Sequence, residues 1–253
     1  MQPLGRNLGS YCGERIHLAE ILDAITAEAK RVGWGRETFL DKDSRQLFAL
    51  TLRPRHARKK VYVSAGIHGD EPAGLMAVLQ LLQAHEWPDD TAIWLCPCLN
   101  PTGFPRNTRE NDQGIDLNRD YRSRGSAEIK AHTEWLDRQP SFDLGVHLHE
   151  DWESKGFYLY ELNPNEVSAK SRDVIDAVER VCPVDHSAEI EDWPADHGVI
   201  HPTVKPHERK EWPEAFFMVQ SKTMISYTLE APSDFPLAMR VAALRTAVNT
   251  LLQ

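Results

Sequence analysis

The chain has 253 residues, of which 41% are hydrophobic, and this is enough for the core of one catalytic domain that we expect to cover residues 1–253. Its net charge of -9 argues against nucleic acid as a partner, because neutralising phosphates requires clustered lysine and arginine. No stretch approaches the roughly 20 apolar residues of a membrane span, and the first residues lack the apolar centre of a signal peptide. We therefore expect a cytoplasmic protein that contacts neither nucleic acid nor membrane; its oligomeric state is not readable from composition.

The predicted elements alternate along the chain. Apolar residues between Ile16 and Val32 recur near the helical period and predict an amphipathic helix. Strands are predicted at 47–52, 60–66, 91–96, 142–149, 156–161 and 224–230, and helices at 73–86, 126–138, 166–181 and 236–252. This alternation is typical of an α/β fold, a three-layer α/β/α sandwich around a mixed, largely parallel sheet.

One basic run, Arg53–Lys60, stands out in this acidic chain. It contains Pro54 and precedes the strand predicted at 60–66. We expect a solvated hairpin loop there rather than a nucleic-acid patch.

The cysteines are too sparse for a disulfide scaffold, which fits a cytoplasmic location; they are Cys12, Cys96, Cys98 and Cys182. Cys96 and Cys98 lie two apart at the end of a predicted strand, so they should point to one face. A redox or metal pair is one interpretation. We expect instead that a buried strand cysteine packs here as a small hydrophobe.

A His-x-x-Glu pair follows the strand predicted at 60–66. The strand stops at Gly66, and Pro72 suits the first position of the next helix, so His68 and Glu71 lie in a strand-to-helix loop. In an α/β sheet such loops lie outside the carboxyl ends of the strands, where these folds bind ligands. Imidazole and carboxylate are both good zinc ligands, and catalytic zinc takes three protein ligands. The pair predicts part of a zinc site.

A third ligand is available at the end of the strand predicted at 142–149. His147 and His149 point to one face of that strand, because side chains alternate, and either could be the ligand. His149 lies nearer the carboxyl end, where the site is expected, and we favour it. We expect His147 to be a hydrogen-bonded, partly buried side chain or to support the site from behind the ligands.

The strand predicted at 224–230 ends in Glu230, shortly before Pro232. A glutamate beside a zinc-activated water can take its proton and pass it to the leaving amine, which is the acid/base role that zinc hydrolysis requires. The simpler interpretation is a solvated glutamate at the end of a strand.

Arg109 and the run Asp116–Arg119 concentrate two guanidinium groups, an amide and a carboxylate in a turn-rich segment. Arginine grips carboxylates through a planar fork of donors, and it can stabilise the negative charge that develops on a carbonyl oxygen during hydrolysis. Taken alone, the segment could equally be a surface ion-pair loop.

In this order, the four motifs resemble the zinc carboxypeptidases of the carboxypeptidase A type, over roughly Val61 to Pro232. Three segments look especially like the bacterial murein peptide amidases: Gly66–Glu71, Arg109–Arg119 and Leu148–Glu150. The resemblance implies a metallocarboxypeptidase that hydrolyses the terminal amide bond of a peptide or a murein-type peptide.

The resemblance also implies roles for single residues. His68, Glu71 and His149 would hold one zinc ion. Glu230 would be the general base and acid, and Arg109 would polarise the carbonyl of the bond that is cleaved.

Further implied roles concern substrate binding. Asn118 and Arg119 match the family pair that binds the terminal carboxylate of the substrate, and Asp116 would orient the ring of His68. The sequence departs from the digestive enzymes at residues 206–210, where their tyrosine is absent. A second departure is the additional His147, which keeps the choice of third ligand open.

The motifs also resemble the aspartoacylase and succinylglutamate desuccinylase enzymes, which cleave acylated amino acids at a similar His-x-x-Glu site. Those enzymes continue into a β-rich domain after the catalytic glutamate, whereas Pro236 to Leu252 is predicted here as one helix. We therefore expect a peptidase and keep the zinc-dependent deacylase as the alternative. A binding module without activity would need neither Glu230 nor Arg109.

The segment from Asp185 to Pro213 is the least regular part of the chain. It is rich in histidine, acidic residues and prolines, and it contains Trp193 and Trp212. Long loops in compact domains are often functional. We predict that this segment borders the cleft and shapes the substrate pocket; the alternative is an irregular surface excursion.

Overall fold

The structure is a computed structural model that describes residues 2–6, 13–43, 45–202 and 208–253. These residues form six α-helices: α1 (Leu18–Arg31), α2 (Ala73–Ala84), α3 (Ala127–Asp137), α4 (Ser171–Val178), α5 (Glu214–Ser221) and α6 (Leu237–Leu252). They also form ten strands: β1 (Gly35–Lys42), β2 (Arg45–Leu52), β3 (Lys59–Ala65), β4 (Thr91–Cys96), β5 (Leu144–Asp151), β6 (Tyr158–Leu162), β7 (Glu189–Ile190), β8 (Trp193–Asp196), β9 (Val199–Ile200) and β10 (Ser226–Pro232). Every predicted element is present, with its ends shifted by a few residues.

The strands form one sheet in the order β1-β2-β4-β3-β5-β10-β6-β9-β8-β7. The central strands β4, β3, β5 and β10 are parallel to one another. Towards the edges, β1 pairs antiparallel with β2, β2 with β4, and β6 with β10. The predicted mixed sheet is confirmed, and its parallel part lies at the centre. As a result, the carboxyl ends of β3, β5 and β10 lie at the same edge of the sheet.

Helices cover both faces of the sheet. On one face, α1, α2, α4 and α6 enclose an apolar core that includes Val63, Val146 and Leu229. On the other face, α3 and α5 pack over a second cluster that includes Tyr62 and Phe217. Neighbouring residues of β3 enter different cores because side chains alternate along a strand. The three-layer sandwich is therefore confirmed. No helix among the described residues is long and apolar enough to cross a membrane.

Several elements were not predicted. β1 is an exposed edge strand whose residues show no clear alternation. Helix α5 begins at Glu214, a residue that sequence patterns treat as solvated but that is 1% exposed. The segment 185–213, which looks irregular in sequence, contains the short strands β7, β8 and β9.

The predicted hairpin at Arg53–Lys60 is wrong. The segment connects β2 to β3, but β4 lies between these strands in the sheet, so they do not pair. The basic residues from Arg55 onwards are exposed, as expected.

The described cysteines pack as small hydrophobes, as predicted. Cys96 lies in the cluster around Tyr62, whereas Cys98 packs with Leu75 and Phe104, so the two thiols enter different parts of the core. Both are free and buried, and burial raises the pKa of each thiol. Cys12 lies outside the described residues.

Candidate active site

The sheet brings three of the predicted motifs together. β3 leads into the loop with His68 and Glu71, β5 carries His149, and β10 carries Glu230. β5 and β10 pair in parallel with Glu230 directly beside His149. Residues far apart in sequence therefore meet at the carboxyl end of the central strands.

His68, Glu71 and His149 form a compact, buried cluster, which we call the metal-competent cluster. His68 Nδ1 lies 2.6 Å from Glu71 Oε1, and His149 Nδ1 lies 3.1 Å from Glu71 Oε2. One ligand atom from each residue lies within 4.8 Å of the others. Two imidazoles and a carboxylate are the donors that a catalytic metal site uses, so these residues fit a metal ion. His149, rather than His147, completes the cluster.

The three side chains of the metal-competent cluster shift one another's pKa values. Burial opposes ionisation of Glu71, but His68 and His149 hold the pKa of its carboxyl well below the usual value. Burial lowers the pKa of His149. Burial also opposes ionisation of His68, but Glu71 and Asp116 outweigh it and raise the pKa of His68. An ionised carboxylate and a neutral imidazole are the forms that bind metal.

Asp116 contacts both His68 and Arg109. Its Oδ1 lies 3.3 Å from His68 Nε2, on the opposite side of the ring from Glu71. Its Oδ2 accepts a hydrogen bond of 2.9 Å from Arg109 Nε, and its Oδ1 accepts one of 2.9 Å from the Asn118 backbone N–H. The expected contact between Asp116 and the His68 ring is therefore present.

Arg109 lies at the mouth of the cluster. Its Nη1 is 3.3 Å from His68 Nδ1 and 3.8 Å from Glu71 Oε1, and its side chain is 39% exposed. Asp116 anchors the guanidinium through Nε, so the exposed part of the group is available to a ligand.

Glu230 faces the same cleft. Burial, and then the nearby carboxylate of Glu71, raise the pKa of Glu230 well above its ordinary value. Arg109 acts in the opposite direction. A raised pKa makes a carboxyl group a stronger base, and in a cleft such a group is a candidate for proton transfer.

All these residues line a cleft of about 870 Å³, which also includes Asn118 and Arg119. The segment 185–213 contributes Glu191, Trp193, Pro202 and residues 209–211 and 213, so the prediction that it borders the cleft is confirmed. Its described histidines, at 186, 197 and 201, do not line the cleft, and His207 lies outside the described residues. Acidic and aromatic residues also line the wall, among them Asp151, Trp152, Glu153, Tyr158 and Tyr160.

Of the two roles expected for His147, its contacts fit that of a hydrogen-bonded, buried side chain. Its Nδ1 lies 2.8 Å from Ser64 Oγ and 3.1 Å from Glu214 Oε2, and its Nε2 lies 2.9 Å from Ser226 Oγ. In the described part of the chain, no hydrogen bond joins it to the three residues of the metal-competent cluster. The simpler prediction of a hydrogen-bonded buried histidine applies.

Sequence reasoning missed one support of the cluster, the pair Glu150 and Arg240. The Glu150 backbone N–H donates to Glu71 Oε2 at 3.1 Å. The Glu150 carboxylate accepts from the Ala73 N–H at the start of α2 and pairs with Arg240. Arg240 is fully buried on α6. The signal in the sequence was Arg240 itself, which lies among apolar residues of α6. A buried arginine needs a charged partner, and here that partner is Glu150.

Similarity to known proteins agrees with this geometry. Residues 57–182 match the family of the Succinylglutamate desuccinylase/Aspartoacylase catalytic domain. No curated protein matches the chain.

Several solved structures share the fold. A candidate metallopeptidase from Shewanella amazonensis SB2B has a TM-score of 0.79 at 24% identity, over 93% of this chain and 92% of that one. A metallo-carboxypeptidase from Burkholderia cenocepacia has a TM-score of 0.70 at 16% identity, over 95% and 69%. The carboxypeptidase A from Helicoverpa armigera has a TM-score of 0.66 at 15% identity, over 94% and 72%.

These likenesses establish a carboxypeptidase-like fold. The matched region covers the loop with His68 and Glu71, the Arg109–Arg119 segment and the strand with His149. The fold is therefore that of the metallo-carboxypeptidases, and residues 57–182 are similar to the Succinylglutamate desuccinylase/Aspartoacylase catalytic domain.

Proposed function

We propose that this chain is a zinc-dependent carboxypeptidase that hydrolyses the terminal amide bond of a peptide or murein-type peptide. The observation that carries the proposal is the meeting of the metal-competent cluster with Glu230 and Arg109 in one cleft. The cleft also contains Asn118 and Arg119, as expected for a substrate with a free carboxylate.

The zinc ion would be held by His68 Nδ1, a carboxylate oxygen of Glu71 and His149 Nδ1. When bound, zinc supplies a Lewis acid that lowers the pKa of water and polarises the amide carbonyl. The donor set supports zinc because two imidazoles and one carboxylate are a recurring ligand set of catalytic zinc sites.

The remaining steps belong to the protein's own side chains. Glu230 takes the proton from the attacking water and donates it to the departing nitrogen, for which its raised pKa is suited. The Arg109 guanidinium, oriented by Asp116, stabilises the negative charge on the carbonyl oxygen. Asn118 and Arg119 hold the terminal carboxylate and so select the last amide bond.

A second candidate function is a zinc-dependent deacylase of N-acyl amino acids. The match of residues 57–182 to the Succinylglutamate desuccinylase/Aspartoacylase catalytic domain favours it. Both reactions cleave an amide bond next to a residue with a free carboxylate, so the same cluster, base and carboxylate-binding pair serve either. The two differ in the group on the acyl side of the bond.

The deciding experiment is mass spectrometry of products after the zinc-loaded protein meets peptides with a free carboxylate, a murein tripeptide and N-acyl amino acids. Release of a terminal residue from a peptide supports the carboxypeptidase and names its side-chain preference. Release of an acyl acid with no peptide cleavage overturns it in favour of the deacylase. A Glu230→Gln variant assayed in parallel excludes a contaminating hydrolase.

A cytoplasmic location stays part of the proposal. Cys96, Cys98 and Cys182 are free and buried, which is the state of thiols in a reducing compartment. Fractionation of the native host would test it, and recovery of the protein outside the cytoplasm would refute it.

A further inference from the structure

A second cluster of polar side chains lies beneath the cleft. Tyr62, Ser64, His132, His147 and Glu214 are each at most 2% exposed, and the proposed reaction uses none of them. They come from β3, β5, α3 and α5 and lie between the sheet and the two helices. We call these five residues the buried network.

Hydrogen bonds of the buried network converge on Glu214. Tyr62 O–H donates to Glu214 Oε1 at 2.8 Å, and Ser64 O–H donates to Oε2 at 2.8 Å. His147 Nδ1 lies 3.1 Å from the same Oε2. His132 Nε2 lies 2.9 Å from Tyr62 Oη, whose own proton is directed to Glu214. The Glu214 carboxylate is therefore a fixed acceptor that β3 and β5 hold in place.

The backbone of Glu214 reaches the cleft. Glu214 is the first residue of α5, so its N–H has no acceptor within the helix. It donates instead to Asn118 Oδ1 at 2.8 Å. A backbone N–H can only donate, so the amide oxygen of Asn118 must face Glu214 and its Nδ2 must point the other way. Within the described residues no acceptor takes a hydrogen bond from that Nδ2, and Asn118 lines the cleft.

We propose that Glu214 is a positioning residue that fixes Asn118 with its NH₂ group turned towards the carboxylate of the substrate. The inference rests on the proposed function for the identity of this ligand, and it adds the device that orients the donor. β3 leads to the metal-competent cluster and β5 carries part of it. Because β3 and β5 also hold Glu214, these two strands set the distance between the metal-competent cluster and the carboxylate-binding pair.

The test compares wild type with Glu214→Gln on two substrates, a peptide with a free terminal carboxylate and the same peptide as its carboxamide. The variant keeps the side-chain volume but places an NH₂ group opposite Tyr62 or Ser64, where an acceptor was. We expect KM for the carboxylate substrate to rise about tenfold with kcat within about twofold, and KM for the carboxamide to stay unchanged. Zinc content should equal that of wild type.

A matched control is Glu161→Gln, since Glu161 is also buried but contacts Asn163 and His201 rather than Asn118. In this variant, KM and kcat for both substrates should equal those of wild type. If Glu214→Gln fails to fold, Ser64→Ala removes only one donor to the carboxylate and should give the same selective rise in KM, with a smaller size. An equal change for both substrates, or a fall in kcat with KM unchanged, overturns the proposal.

A separate readout distinguishes this proposal from the proposed function. If wild type cleaves neither substrate, the proposed function fails, but the side-chain amide protons of Asn118 can still be followed by NMR. Their resonances should shift in Glu214→Gln and not in Glu161→Gln. Unchanged Asn118 resonances in Glu214→Gln would show that Glu214 does not orient this amide.

Discussion

Glu230 illustrates how position rather than residue type decides chemistry. The cleft contains several carboxyl groups, but Glu230 lies beside His149 across two parallel strands. Burial and the neighbouring Glu71 raise its pKa, which makes its carboxylate a better base than that of a solvated glutamate. Glu153, on the wall of the same cleft, is exposed and lacks this environment.

Glu230→Gln should remove proton transfer while preserving the shape of the site. We expect kcat to fall by roughly 10²- to 10⁴-fold with zinc still bound, because general acid/base catalysis contributes about that factor. The measurement is kcat together with the zinc content of the purified variant. Glu153→Gln serves as the control and should remain active. Equal kcat values for Glu230→Gln and wild type would refute the role assigned to Glu230.

At the scale of elements, the β7–β8 hairpin has an unusual backbone at the border of the cleft. Ile190 pairs with Trp193, so the turn consists of Glu191 and Asp192, with φ values of +52° and +59°. Two-residue hairpin turns of this left-handed type favour asparagine and glycine, because other side chains are strained there. Glu191 lines the cleft, so the strained turn places a carboxyl group beside the proposed substrate.

Replacing the second turn residue should therefore stabilise the protein. Asp192→Gly relieves the left-handed strain, and we expect the free energy of unfolding to rise by about 0.5–1 kcal/mol once the entropic cost of glycine is subtracted. Denaturant unfolding would measure it. Asp196→Gly is the control, because Asp196 is an exposed strand residue of β8 without a positive φ and should lose stability. A loss of stability in Asp192→Gly would contradict the strain argument.

At the scale of the whole molecule, metal binding and folding should be coupled. His68 and Glu71 lie in a loop and His149 in a strand, so the cluster exists only in the folded chain. A ligand that binds only the folded state stabilises it by about 2.7 kcal/mol at a free concentration of about 100 times Kd. The same coupling would apply to any metal that these donors accept.

Zinc should accordingly raise the Tm of wild type in a concentration-dependent way. We expect His68→Ala to lose this rise, since it removes a donor, and Glu230→Gln to keep it, since Glu230 is not among the three donors. Thermal unfolding at several free zinc concentrations is the measurement. A zinc-dependent Tm in His68→Ala equal to that of wild type would place the metal elsewhere.

The buried network should make the metal-free protein sensitive to acid. Burial lowers the pKa of His132 to about 4. Burial opposes ionisation of Glu214, but its neighbours, His147 foremost, outweigh burial and the pKa of Glu214 lies at about 2. In both cases the unfolded chain binds the proton at a higher pH than the folded chain does. The stability that these two groups contribute is therefore complete above about pH 6.5. As the pH falls, the contribution of His132 is lost between about pH 6.5 and 4, and that of Glu214 between about pH 4.5 and 2.

His132 and Glu214 should each lower the free energy of unfolding by on the order of 3 kcal/mol as the pH falls through the window of that residue. Denaturant unfolding of metal-free protein at about pH 7, 5 and 3 would measure this. His132→Gln should reduce the loss of stability in the upper window, and Glu214→Gln should reduce the loss in the lower window. A variant that loses as much stability as wild type across its own window would contradict the assignment of that residue.

Local sequence patterns were sufficient for most elements and for the outline of the site. Short apolar runs predict β3 and β5, which are buried on both faces, and Pro72 followed by helix-forming residues predicts α2. The loop after β3 can be recognised from Gly66 and Pro72. The pattern failed at β1, whose exposed residues carry no alternation, and at α5, whose first residue is a buried glutamate. It also failed for Arg53–Lys60, because strand order in a sheet is not encoded locally.

The sequence by itself determined which residue types stand at the ends of the strands, since turns and strand ends are properties of neighbouring residues. Only the tertiary structure decided which of them meet. It placed His149 beside Glu71, directed His147 to Glu214, and tied Asn118 to the start of α5. These contacts join residues distant along the chain, and they depend on how the sheet orders its strands and on which side chains the helices bury.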